Sequence, residues 1–103
     1  MNIKVSYLYR DASNYKQHNE VVFTNPNKIP LQEIRSIIRS RLIDDGWFIA
    51  KDLHLPDIHF KNYNWDDEID HQWHELESIE ERTEAETQPR SIEDFLELIT
   101  VKQ

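Results

Sequence analysis

The chain has 103 residues, carries 12 Lys/Arg against 20 Asp/Glu for a formal net charge of -8, and contains no cysteine. That length suits one domain with one core, and the absence of cysteine excludes disulfides, thiolate metal sites and cysteine nucleophiles. No apolar run approaches the roughly 20 residues needed to cross a bilayer, and Met1 to Arg10 alternates polar with apolar residues unlike a signal peptide. A cytoplasmic protein with no membrane partner is the expectation.

The charge is unevenly spread. Residues 1–65 hold nine Lys/Arg and seven Asp/Glu, whereas residues 66–103 hold three and thirteen. An acidic half repels phosphate backbones, so direct nucleic-acid binding is not expected. It suits a basic protein surface or a hard cation; the plainer reading is a solvated face that maintains solubility.

From Asn2 to Arg10 a period of two sets Ile3, Val5, Tyr7 and Tyr9 on one side and Lys4, Ser6, Leu8 and Arg10 on the other, the pattern of a half-buried strand. Asp11 to Asn19 is rich in residues that hydrogen-bond the local backbone and reads as a loop, with Glu20 to Thr24 as the returning strand. Asn25-Pro26-Asn27-Lys28 breaks that strand, and Pro30 opens a helix whose apolar stripe is Leu31, Ile34, Ile37, Ile38 and Leu42. Ile29 and Ile34 are placed to form a hydrophobic staple. Gly46, the one glycine of the chain, suits the left-handed position past the helix end. Arg35, Arg39 and Arg41 lie away from the stripe and read as a solvated helix face in preference to an anion site.

Trp47 to Ala50 either begins a strand or tucks a loop into the core, and Asp57 to Lys61 alternates as a short strand. His54 and His59 have no ligand-like spacing around them and read as ordinary histidines. Asn62-Tyr63-Asn64-Trp65 is a turn carrying two aromatics into the acidic stretch Asp66 to Glu75. As a helix, that stretch places Asp67, His71, His74 and Glu75 on one face. As a strand, it sends His71, Trp73, Glu75, Glu77 and Ile79 one way and His74, Leu76, Ser78 and Glu80 the other. Both readings remain open, with the strand preferred because Ile58 to Phe60 needs a pairing partner.

Glu81 to Gln88 has no apolar period and reads as a solvated linker. Ser91 is a good N-cap for a second helix with Ile92, Phe95, Leu96 and Ile99 facing inward. The expected fold is one α+β domain over residues 1–103: a mainly antiparallel sheet of about four strands in ββαββα order, with two helices on one face. A β-grasp-like arrangement is the alternative.

The segments Tyr9-Arg10-Asp11-Ala12-Ser13-Asn14-Tyr15-Lys16, Asp70-His71-Gln72-Trp73-His74-Glu75 and Arg90-Ser91-Ile92-Glu93-Asp94-Phe95-Leu96 resemble a group of small, uncharacterised bacterial proteins. The resemblance spans most of the chain. It implies no activity and assigns no catalytic residue.

One glycine in the whole chain removes phosphate-cradling loops and the serine nucleophile elbow. The histidines at 71 and 74 do not have zincin spacing. What remains for chemistry is a candidate divalent site from Asp66, Asp67, Asp70, His71, His74 and Glu75, its core being Asp67, His71, His74 and Glu75. Imidazole would favour manganese, zinc or iron there, and phosphodiester hydrolysis would be the natural reaction. The preferred reading is a protein-binding module without catalysis or cofactor, whose binding surface draws on Tyr9, Arg10, Asp11, Tyr15, Tyr63, Trp65 and Trp73. Tyrosine, tryptophan and arginine dominate interface hot spots, and carboxylates around them suit a partner with a basic surface. An acidic inhibitor mimicking nucleic acid toward such a partner is a sharper form of this reading.

Overall fold

The structure, a computed structural model, describes residues 1–10, 16–42, 46–56 and 73–102. Strands β1 (Asn2–Arg10) and β2 (Lys16–Phe23) are followed by helix α1 (Leu31–Arg41), strand β3 (Trp47–Ile49), a 3-10 turn (Ala50–Leu53), strand β4 (Trp73–Arg82) and helix α2 (Ile92–Lys102). The sheet order is β2-β1-β4-β3 and every pairing is antiparallel. This is the expected α+β fold in ββαββα order; the antiparallel pairing of the two central strands speaks against the β-grasp alternative.

Register in the sheet decides what faces the helices. Val5 stands opposite Val21 on β2 and Ile79 on β4, and Tyr7 opposite Asn19 and Leu76. Between these rungs the β1–β4 ladder shifts: Ser6 pairs with Ser78 and Tyr7 with Leu76, so Glu77 is an extra residue with no partner on β1. Such a bulge reverses the alternation on one side of itself. Ile79, Leu76 and His74 therefore share one face of β4, while Glu75, Ser78 and Glu80 share the other. A strict period of two would put Ile79 opposite in sense to Leu76 and His74, as the strand reading of the sequence did; the bulge corrects it.

Both helices cover the face that carries Ile3, Val5, Tyr7, Phe23 and Ile79. Ile34, Ile38 and Leu42 of the first helical segment and Ile92, Phe95, Leu96 and Ile99 of α2 join these residues in one buried cluster. Phe23 and Phe95 stack at 4.7 Å between centroids. Ile29, just before α1, is partly buried and packs against the same cluster. Ser91 caps α2 as expected: its hydroxyl accepts from the Asp94 amide at 3.3 Å and its own amide donates to Asp94 Oδ2 at 3.1 Å.

Three local expectations are corrected. Lys16 to Asn19 belong to β2, because they pair with Tyr7 to Arg10 and extend the hairpin beyond the expected loop. Helix α1 ends at Arg41, where Leu42 turns extended (φ -93°, ψ 155°) and buries its side chain. Gly46 has no positive φ, and a Cβ built on it meets nothing within 4 Å. Its carbonyl instead accepts the Leu76 amide at 2.7 Å. The segment after β4 is not a loose linker. Thr87 Oγ1 accepts the Val22 amide at 2.8 Å, and the Thr87 and Gln88 amides donate to the Val22 carbonyl at 2.9 and 3.2 Å. The strand expected at Asp57 to Lys61 lies outside the described residues.

Two arginines tie the layers together. Arg90 donates to the carbonyls of Leu53 (2.6 Å) and His54 (3.1 Å), and its guanidinium lies 5.4 and 5.1 Å from the ring centroids of Phe23 and Phe95. Burial lowers its pKa from the ordinary arginine value, and Asp94 partly offsets this. His54, with φ 55°, is left-handed at the end of the 3-10 turn, and its carbonyl is one of those Arg90 holds. Arg35 reaches from α1 to the Ile79 carbonyl with Nε at 3.0 Å and a terminal nitrogen at 2.8 Å, where β4 extends beyond the short β3.

Two outcomes test this architecture. Deleting Glu77 removes only the bulge residue, so every rung is kept and stability should fall by no more than about 1–2 kcal/mol; deleting Glu75 instead turns either His74 or Leu76 to the wrong face and should abolish cooperative urea unfolding. Equal loss from both deletions contradicts the register. Arg90→Ala should cost about 2–4 kcal/mol, and Arg90→Lys should restore less than half of it, since an ammonium lacks the planar fork that meets two carbonyls and two rings.

Candidate protein-interaction surface

The face of the sheet opposite the helices is built by the alternate residues of the same strands. On β1 these are Lys4, Ser6, Leu8 and Arg10; on β2, Lys16, His18, Glu20 and Val22; on β4, Glu75, Ser78 and Glu80, with Glu77 in the bulge. Charges of opposite sign meet across the strands. Lys4 Nζ lies 3.1 Å from Glu20 and 3.2 Å from Glu84, Arg10 Nε 2.9 Å from Glu75, and His18 Nδ1 3.1 Å from Glu77. Arg82 lies 2.6 Å from Glu80 within β4. The hydrogen bond that Lys4 donates to Glu20, followed by the one to Glu84, raises the Lys4 pKa, and the one that Arg10 donates to Glu75 raises that of Arg10. Both shifts favour the charged cations, so Lys4 and Arg10 stay charged through neutral pH. Such exposed pairs order side chains more than they stabilise the fold.

At the β3 end of this face stand two indoles. Trp47 is opposite Glu75 and Trp73 opposite Ile49, and both indoles are partly exposed. Leu8 and Val22 point to the same side but are buried, 8% and 2% exposed. The exposed part of this face therefore runs from a charged area on β1, β2 and β4 to the two indoles.

The expected binding residues divide between the two faces. Arg10 and Trp73 lie on the outer face. Tyr9 lies on the inner one, 2% exposed, with its ring 5.3 Å from that of His74, so it packs in the core instead of meeting a partner. Asp11, Tyr15, Tyr63 and Trp65 lie outside the described residues. Tyr7 is also internal; its hydroxyl donates to the Pro56 carbonyl at 2.6 Å and accepts from Asn19 Nδ2 at 3.0 Å.

Of the candidate metal ligands, His74 and Glu75 are described and Asp67 and His71 are not. His74 is 0% exposed and sits among Tyr7, Tyr9 and Phe48, with ring centroids 5.8, 5.3 and 5.9 Å away. Glu75 is adjacent on the strand and so faces the opposite way, toward Arg10. The two side chains do not converge. Among the described residues no group of three His, Cys, Asp or Glu side chains could hold a metal ion, and no helix is long and apolar enough to cross a membrane.

Sequence reasoning missed Lys4, His18, Glu20 and Glu84 as members of a surface. The alternation that puts Lys4 and Arg10 outward was visible, but the acids that meet them come from chain 65 to 80 residues away or across a hairpin. No family model, curated protein or solved structure matches the chain.

His74→Ala should destabilise the fold by about 3 kcal/mol, because it leaves a space among three rings. Thermal unfolding should show the same loss in zinc, in manganese and in chelator; a loss that appears only when metal is present would make His74 a ligand.

Proposed function

We propose that the protein is a non-catalytic interaction module that binds a basic segment of a protein partner on the outer face of its sheet. The observation that carries this reading is the placement of the helices: among the described residues both lie on the inner face, while the outer face presents Glu20, Glu75, Glu77, Glu80 and Glu84 beside Trp47 and Trp73. Five carboxylates face four fixed cations, Lys4, Arg10, Lys16 and Arg82, with His18 adding charge only when protonated. Each carboxylate keeps lone pairs for a second donor. The cross-strand pairs are weak enough to exchange for a partner's lysines and arginines, and the indoles supply rigid apolar contact of the kind that dominates interface hot spots. Acidic charge on one surface also speeds encounter with a basic partner.

The test uses an isotope-labelled sample titrated with a lysine- and arginine-rich peptide at low and moderate salt. The expected result is shift changes confined to β1, β2, β4 and the indole N–H groups of Trp47 and Trp73, with affinity falling as salt rises. Glu77→Gln with Glu80→Gln should weaken binding about tenfold. Shifts centred on α1 and α2, or none with peptide in large excess, would overturn the reading.

A further inference from the structure

We propose that two copies of the chain pair antiparallel along the outer edges of their β2 strands, about a two-fold axis at His18, to form one continuous sheet. The direction of the backbone groups on β2 is fixed by its far end. Val22 bonds outward, to Thr87 and Gln88, and not to β1. Because these directions alternate along an antiparallel strand, the N–H and C=O groups of Glu20, His18 and Lys16 also point away from β1. The segment after β4 occupies that edge at Val22 and no described strand pairs with it at residues 16–20.

Natural edges are usually blunted by proline, a bulge, an inward-pointing charge or charged edge side chains, lysine above all; here the one edge lysine, Lys16, has Glu20 of a second copy to meet across a two-fold axis. Residues 16–20 read Lys-Gln-His-Asn-Glu, with no proline, and their ladder with β1 runs without a shift. Lys16, His18 and Glu20 are exposed. The side chains of His18 and Glu20 are 54% and 55% accessible.

Charge selects both the occupant and the register. With the axis at His18, Lys16 of each copy stands opposite Glu20 of the other, so two opposite-charge pairs form from one sequence. About six backbone hydrogen bonds accompany them, two for each of the three facing pairs. An axis at Lys16 or at Glu20 would set like charges face to face. An axis at Asn19 would bring Lys16 against Val22, whose backbone groups Thr87 and Gln88 already hold. The isologous match at His18 is the arrangement a two-fold axis requires. It places the outer faces of both copies on one sheet and needs no peptide ligand.

Sedimentation velocity of the full chain without peptide, from micromolar to millimolar concentration, tests the proposal. The expected result is a shift from the 12.5 kDa monomer to twice that mass. Lys16→Glu should weaken the dimer about tenfold or more, and Lys16→Glu combined with Glu20→Lys should restore it. Lys4 retains Glu84 in that double variant. His18→Pro should also abolish the dimer while preserving the circular dichroism spectrum, since it removes an amide that β1 does not use. A chain that stays monomeric at millimolar concentration, or a dimer indifferent to both Lys16→Glu and His18→Pro, overturns the proposal. Neither result bears on peptide binding to the monomer's outer face.

Discussion

One unpaired residue, Glu77, sets which side of β4 belongs to the core. Above the bulge Ile79 stands opposite Val5; below it Leu76 stands opposite Tyr7 and His74 opposite Tyr9. Without that offset, a strand carrying Ile79, Leu76 and His74 would divide its apolar groups between two faces, and one set would lie in water. The polar groups follow the same rule. Glu75, Ser78 and Glu80 are placed outward, where Glu75 meets Arg10 and Glu80 meets Arg82. β4 is central and pairs with β1 from His74 to Arg82 on both sides of the bulge, so the offset fixes the character of both layers.

The inner layer is polar where it must be and satisfied there. Tyr7 is fully buried, yet its hydroxyl both donates and accepts, and Arg90 brings its guanidinium to two carbonyls and two rings. A buried donor without an acceptor costs far more than a formed bond contributes, so these partners are what permit a buried tyrosine and a half-buried arginine at the margin of so small a core. His74 is accommodated among aromatic rings, which makes it part of that packing. The outer layer has the opposite design: its charges are paired at the surface, where water and salt let them exchange partners at low cost. This division is why we propose the outer face as the binding surface.

Much of the fold was legible from local pattern. The alternation of Ile3, Val5, Tyr7 and Tyr9, the stripe from Leu31 to Leu42 and the Ser91 cap each report short-range physics that a sequence states directly. What escaped was set by distant chain. β2 begins at Lys16 because Tyr7 to Arg10 offer it a ladder, overriding the turn-forming character of Gln17 to Asn19. Thr87 is ordered because the edge of Val22 offers it two hydrogen bonds, which its polar neighbours do not foretell. Gly46 looked like a helix terminator, but Leu42 ends the helix earlier by burying its own side chain. The candidate site was less legible than the fold. Residue type singled out Tyr9 as an interface aromatic, whereas its place in the alternation, already readable, put it with the core. The cross-strand pairs of the outer face depend on register, and register depends on a bulge that no spacing in the sequence announces.

The most direct test of this account is a set of cross-strand nuclear Overhauser contacts between α-protons of β1 and β4. In an antiparallel ladder these are strong only for the closely spaced, non-hydrogen-bonded pairs. The structure predicts contacts between Val5 and Ile79, between Tyr7 and Leu76, and between Tyr9 and His74. Contacts from Tyr7 to Glu77 and from Tyr9 to Glu75 would mean an unbroken ladder, with His74 turned outward and the assignment of both faces reversed along that part of β4.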